Sequence, residues 1–261
     1  MDRTLRGRVA LVTGAGPGIG RATARRFAED GADVVLAARR REPLEAMARE
    51  LAALTGRRFL ALAADLKRLE DCDRIVAETV ARMGRIDAVV NVATHPHQRA
   101  AVADIDWGAY FESVKLNVAG TMRVCGAAAR RMAETGGGAI VNIGTLATTA
   151  LQAKGAEYSS TKAAMVAASK VLAREMGRFD VRVHVVTPGY TTGEPLDRLF
   201  EQMAAGLGIT PEETSRRLAK SAVLERHVDP EDVAEACLFL ASDRARNITG
   251  IELHVTAGQW I

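Results

Sequence analysis

The sequence predicts a doubly wound α/β fold, with a mostly parallel sheet of about seven strands and helices on both faces. Three observations carry this reading. Short runs of valine, leucine, isoleucine and alanine alternate with stretches of helical period along nearly the whole chain. The first such run ends in a glycine cluster that opens directly into a helix-like segment. No Pro- or Ser-rich linker and no short tandem repeat divides the 261 residues, so residues 1–261 read as one domain.

Taken in order, Val9 to Val12 is the first strand, and Thr13-Gly14-Ala15-Gly16-Pro17-Gly18-Ile19-Gly20 turns it into a helix that runs through Asp30. Asp33 to Ala37 is apolar and bounded by Gly31. Leu44 to Leu54 is helical, Phe59 to Ala64 strand-like, Asp71 to Met83 helical, and Ala88 to Asn91 the fourth strand. After a loop at Thr94 to Ala103, a long helical stretch around Tyr110 to Ala133 stops at Gly136-Gly137-Gly138. Ala139 to Ile143 resumes as strand, Tyr158 to Met176 as helix, and Val181 to Val186 as a strand that halts at Pro188-Gly189. A helix over Pro230 to Leu240 and a strand over Glu252 to Val255 complete the series. Residues 190–228 break the rhythm with two helical pieces, Leu196 to Leu207 and Pro211 to Leu218, and no strand between them. In a regular α/β chain such an insertion is expected to be a substrate lid.

Composition narrows the class. Hydrophobic residues make up 48% and charged residues 26%, which excludes disordered, collagen-like and disulfide-scaffold chains. The net charge of +3 is interspersed rather than gathered, so nucleic acid is not the expected partner. Cys72, Cys125 and Cys237 are odd in number and form no C-x-x-C pair, which fits reduced thiols in a cytoplasmic protein. Met1 to Arg8 leads only into a short apolar run and no stretch approaches 18 apolar residues, so neither a signal peptide nor a membrane span is expected.

Two local patterns carry chemistry. A glycine turn between strand and helix lets backbone approach a pyrophosphate, which then sits on the helix's unpaired amides. The spacing here, Gly14-x3-Gly18-x-Gly20, differs from the G-x-G-x-x-G Rossmann fingerprint, and a plain helix-entry turn would look similar. Tyr158 and Lys162 are four apart and share one helix face. An ammonium beside a phenol favours the phenolate, which makes the pair a candidate proton donor, although an exposed helix pair has the same spacing. Thr145 closes a predicted strand, at the edge where doubly wound sheets bind ligands. Asn117 is a polar residue in an apolar helical stretch, either functional or a satisfied buried amide.

Thr13-Gly14-x3-Gly18-Ile19-Gly20, Asp65-Leu66, Asn91-Val92-Ala93, Asn117, Thr145, Tyr158-x3-Lys162, Pro188-Gly189 and Pro230-Glu231-Asp232-Val233-Ala234 stand in an order and spacing that resembles the short-chain dehydrogenase/reductases over essentially the whole chain. The resemblance implies an NAD(P)-dependent oxidoreductase that moves hydride between the nicotinamide and a carbonyl or secondary alcohol. Tyr158 would be the acid/base, with Lys162 lowering its pKa and binding the nicotinamide ribose. Asn117 would hold a water, and Thr145 would stand where the family has a serine. Asp65 would meet the adenine with Leu66 beside it, Asn91 with Ala93 would lie along the adenosine ribose, and Thr191, after Pro188 and Gly189, would contact the carboxamide. Relatives that prefer NAD carry an acid at the position of Ala38. Here Arg39 and Arg40 follow it, which favours NADP(H), with NAD(H) possible. The resemblance also implies a homotetramer or homodimer through helices near Ala119 to Ala129 and Ala163 to Ala173.

The chain departs from the family pattern at Val92, Thr94, Thr145 and Thr256. These departures keep open a non-catalytic nucleotide-binding sensor or subunit on the same fold. His95-Pro96-His97 lies on the loop after the fourth strand, without a third ligand nearby in sequence, so no metal site is expected. His95, Leu146, Leu151 and Tyr190, with Ala147, Leu196 and Met203, are the expected pocket. That set is mostly apolar, which suggests a fairly hydrophobic ketone or a 3-oxoacyl substrate. Trp107 is expected to pack its helix.

Overall fold

The computed structural model describes residues 4–259; residues 1–3 and 260–261 of the expected domain, with the start of the N-terminal stretch, lie outside the described residues. Seven strands form one sheet: β1 (Val9–Thr13), β2 (Asp33–Ala38), β3 (Phe59–Ala63), β4 (Ala88–Asn91), β5 (Gly138–Ile143), β6 (Val181–Pro188) and β7 (Glu252–Val255). Their order is β3-β2-β1-β4-β5-β6-β7, and every pairing is parallel. The strand order reverses between β1 and β4, which opens a crevice at the carboxyl edge.

Alternation along each strand builds two cores. Ala10, Val12, Val34, Leu36, Val90 and Val141 face α1 (Ile19–Glu29), α2 (Arg41–Thr55) and, further along the chain, the Pro230–Ala241 helix. Val9, Leu11, Val35, Ala37, Val89 and Ile140 face α3 (Leu69–Met83) and the helices that follow β4 and β5. Both faces of the sheet are therefore covered, as an all-parallel sheet requires. Cys72, Cys125 and Cys237 are buried free thiols whose pKa values burial pushes up to about 12.

The long helical stretch after β4 is not one α-helix. It comprises α4 (Trp107–Val114), a π-helical turn (Lys115–Gly120) and α5 (Thr121–Glu134). Gly120 lies against Leu66, where a Cβ would come within 1.9 Å of the carbonyl oxygen. The π-turn carries Asn117, and such turns gather at functional sites. Trp107 packs on its own helix, against Tyr110 at 5.3 Å between ring centroids, and is 55% exposed. After β5 comes α6 (Ala156–Met176). Between β6 and β7 lie α7 (Glu194–Leu207), α8 (Pro211–Lys220) and α9 (Pro230–Ala241). Among the described residues, no helix is long and apolar enough to cross a membrane.

Candidate active site

On the β1 side of the crevice the site is built from backbone. Gly14 has φ +66°, and a Cβ there would lie 2.3 Å from the Ala93 nitrogen, so the glycine loop and the end of β4 meet main chain to main chain. Gly20 closes the loop from the other side, where a Cβ would come within 2.5 Å of the Gly14 oxygen. Gly18, at the helix cap with φ +83°, has open space where its side chain would be. No side chain caps α1 and no acid stands in its first turn. Arg21 and Ala22 return their amides to the Gly16 and Gly18 carbonyls, while Ile19 packs on the core. The first-turn donors ahead of them have no intrahelical acceptor, and the helix end is positive. This uncapped glycine-lined cradle fits a dinucleotide pyrophosphate.

Arg39 and Arg40 stand exposed just past β2. Among the described residues neither makes an ion pair or hydrogen bond, whereas Arg41 bonds Glu45 at 3.5 Å. Lys67 is close enough to Arg39 to feel its charge, and bonds Glu112 at 2.9 Å. Asp65 is held by its amide to Asp71 at 3.0 Å, and accepts from the Lys67 amide at 3.1 Å, with Leu66 buried beside it. Two of the residues expected at the nucleotide use their side chains within the sheet. The Thr13 hydroxyl donates to Asn91 Oδ1 at 2.9 Å, and Asn91 Nδ2 donates to Asn142 Oδ1 at 2.8 Å. Both side chains are buried and tie β1, β4 and β5 together.

On the β4 to β6 side the site is built from side chains. Tyr158 sits in the first turn of α6, and burial raises the pKa of its phenol. The Thr145 hydroxyl, just past β5, and then the Thr94 hydroxyl oppose that rise. Lys162, one turn along, is 4% exposed and donates from Nζ to the Ile143 carbonyl at 2.9 Å. Burial draws its pKa down to about 8. The Lys162 ammonium is turned to the Ile143 carbonyl, and desolvation is the largest influence on the Tyr158 phenol.

Asn117 is almost fully buried. Its Oδ1 accepts from the His95 amide at 2.9 Å and from the Thr94 hydroxyl at 3.3 Å, and its Nδ2 donates to the Thr161 hydroxyl at 3.1 Å. It ties the π-turn to the loop after β4 and to α6, with one amide hydrogen uncommitted. His97 stacks on the Tyr158 ring, centroids 4.3 Å apart and planes 15° apart. The Gly189 amide bonds Val255 at 2.9 Å, and the Thr191 hydroxyl turns back to the Gly189 carbonyl at 3.1 Å. The Tyr190 amide donates to Gln259 Oε1 at 3.3 Å. Leu146 is buried in a short 3-10 turn, and Leu151 is 73% exposed ahead of α6.

Sequence reasoning missed four residues here. Thr94, met as a family departure, supplies a hydroxyl beside Tyr158. Lys67 joins the cations near Arg39. Ser113 and Glu157 hold the loop from below. The tyrosine's own neighbour in sequence, an acid in a first helical turn, was the one signal available for Glu157.

A doubly wound sheet with a glycine cradle at its switch point and, at the same edge, a half-buried Tyr158 one turn from a buried Lys162 defines a nicotinamide-dependent oxidoreductase. Residues 14–259 match the family described as "Enoyl-(Acyl carrier protein) reductase", and the chain belongs to the short-chain dehydrogenase/reductases. It is 36% identical over 253 residues to an L-fucose dehydrogenase from Oryctolagus cuniculus, covering 97% of this chain and 84% of that one. NAD+-bound xylitol dehydrogenase superposes with a TM-score of 0.91 at 28% identity, covering 97% and 99% of the two chains. L-Sorbose reductase from Gluconobacter frateurii, complexed with NADPH and L-sorbose, gives 0.93 at 29% identity and covers 99% and 98%. The chain is an NAD(P)-dependent oxidoreductase acting between CH–OH and C=O on a small molecule. Nothing in these likenesses supports the non-catalytic alternative.

Proposed function

We propose that this protein is an NADP(H)-preferring carbonyl reductase or secondary-alcohol dehydrogenase in which Tyr158 exchanges the proton of the substrate oxygen. The observation that carries the reading is a half-buried, desolvated phenol at the sheet's carboxyl edge, attended by the Thr145 hydroxyl, with Lys162 one turn away. When bound, the nicotinamide supplies or accepts the hydride. With its pKa raised, Tyr158 stays protonated at neutral pH and serves as the acid of the reductive direction. Thr145 bonds the same substrate oxygen, its extra methyl limiting its rotamers. Lys162 binds the nicotinamide ribose, and Asn117 holds the loop after β4 in place.

Other features support the rest. The unpaired Arg39 and Arg40, with Lys67 nearby, suit a 2′-phosphate, and the two bound relatives above hold NADPH in one case and NAD+ in the other. The groups around Tyr158 are Thr94, Thr145 and His97, while Leu196 is buried in α7. This favours a small hydroxylated ketone or alcohol over the hydrophobic or 3-oxoacyl substrate that the sequence suggested, in keeping with relatives named for L-fucose, xylitol and L-sorbose. Helices α7 and α8 form a lid, its ends pinned by the Thr191–Val228 bridge. The chain works as a homotetramer or homodimer through α5 and α6, which light scattering checks, and its three unbonded thiols suit the cytoplasm.

A fluorescence titration with NADPH and, separately, NADH at equal ionic strength tests the cofactor reading. The expected result is tighter binding of NADPH, with the preference lost in Arg39→Ala. Equal affinity for both in the unaltered protein refutes the preference.

A further inference from the structure

Beneath the loop that follows β4 lies a buried carboxylate that the proposed chemistry does not use. Glu157 is 2% exposed and directly precedes Tyr158 in the first turn of α6, where the helix end favours a negative charge. Among the described residues no cation pairs with it. The Ser113 hydroxyl, reaching across from α4, donates to Oε1, and the Gln98 amide donates to Oε2 at 3.2 Å. The Ser113 oxygen also lies 3.1 Å from His95 Nδ1. A hydroxyl has one hydrogen, and here it points to the carboxyl oxygen. Ser113 therefore donates to Glu157 and accepts from His95, which assigns the Nδ1-protonated form to that imidazole.

The loop is held on both sides of His97. His95 is fixed by its ring to Ser113 and by its amide to Asn117 at 2.9 Å. Gln98 is fixed by its amide to Glu157 and by its side chain to both backbone groups of Asp106, at 2.9 and 3.1 Å. Pro96 stiffens the span between them. His97 is left to lie parallel on the Tyr158 ring. Such a stack covers the face of the phenol and leaves the hydroxyl at its edge free. The buried carboxyl is held by two donors and the end of α6 rather than by a cation, so its bonds reach only the loop and α4.

We propose that Glu157 is a positioning residue for the reaction: through Ser113 and Gln98 it holds the 94–98 loop so that His97 rests on Tyr158. His97 is then a specificity-determining residue that hydrogen-bonds a substrate hydroxyl next to the reacting carbon. This deepens the function proposed above and rests on it. Neutral imidazole offers one donor and one acceptor, which suits an alcohol group and gives nothing to a plain alkyl neighbour.

The test uses the full-length protein and two readouts. In a 1H–13C spectrum the His97 ring resonance should be displaced by the Tyr158 ring current, and should move toward the free-histidine position in Glu157→Gln. In kinetics at saturating NADPH, with hydroxylated ketones and their deoxy counterparts, His97→Ala should raise KM about tenfold for the hydroxylated partner only. Glu157→Gln should do the same, and the double variant should be no worse than the worse single one. An unmoved His97 resonance in Glu157→Gln overturns the positioning role, and so do additive effects in the double variant. Equal KM changes for both ketones overturn the specificity role. If thermal unfolding shows that Glu157→Gln does not fold, Ser113→Ala takes its place with the same expected outcomes. Wild-type turnover in Tyr158→Phe would refute the underlying function. An inactive Tyr158→Phe beside an unaltered Glu157→Gln would refute this inference alone.

Discussion

Around β1 and β2 the carboxyl edge of the sheet is made of main chain, with a loop of glycines packed on the Ala93 backbone and a helix end that no side chain caps. Around β4, β5 and β6 the same edge is made of side chains: Thr94, Asn117, Thr145, Tyr158 and Lys162, each held by a partner from another element. A pyrophosphate is bound by any peptide amides that converge on it, so the first half needs only shape. A proton transfer needs a group of defined basicity at a defined place, so the second half needs desolvation and hydrogen bonds set by distant residues. The difference predicts that the two halves fail separately.

The largest effect is expected from Tyr158→Phe, which should lower turnover by about a thousandfold while NADPH binding is kept; steady-state kinetics and a fluorescence titration check it. Gly14→Ala comes next. It forces a Cβ into the Ala93 backbone at a positive φ, and should cost on the order of 3 kcal/mol in chemical unfolding together with nucleotide affinity.

Lys162 has a sign that can be worked out. Its folded pKa of about 8 is below its ordinary value of 10.5, so between those values the unfolded chain binds more protons and stability rises with pH. The penalty for burying the ammonium is fully present below pH 8 and fades above it. From pH 8 to 10 the unaltered protein should gain about 2 kcal/mol relative to Lys162→Met, as read by urea unfolding at each pH. A flat difference between the two would remove the desolvated lysine from the account. The smallest effect is Arg39→Ala, which should weaken NADPH about tenfold and leave NADH unchanged.

Legibility in the sequence follows the same divide. The strands from Val9 to Val255 and the glycine cradle are local patterns, and β4 and β7 begin and end where periodicity and flanking residues put them. Tyr158 and Lys162 were legible because one helical turn joins them. The π-turn at Lys115–Gly120 was not, because it depends on Gly120 meeting the Leu66 carbonyl, some fifty residues away in the chain. The sequence cannot show that Thr13 bonds Asn91 and that Asn91 in turn bonds Asn142 on the adjacent strand. Thr94 read as a departure from the family pattern, yet its hydroxyl bonds Asn117 and faces Tyr158. Ser113 and Glu157 stand 44 residues apart, and only the packing of α4 on α6 brings them together.

The separation of the two halves is tested most directly by single-turnover hydride transfer at saturating NADPH, measured side by side in Tyr158→Phe and Arg39→Ala. Tyr158→Phe should bind NADPH normally and transfer hydride about a thousandfold more slowly, whereas Arg39→Ala should need more NADPH to saturate and then react at the unaltered rate. A wild-type rate in Tyr158→Phe, or a similar loss of rate in both variants at saturation, would contradict the account.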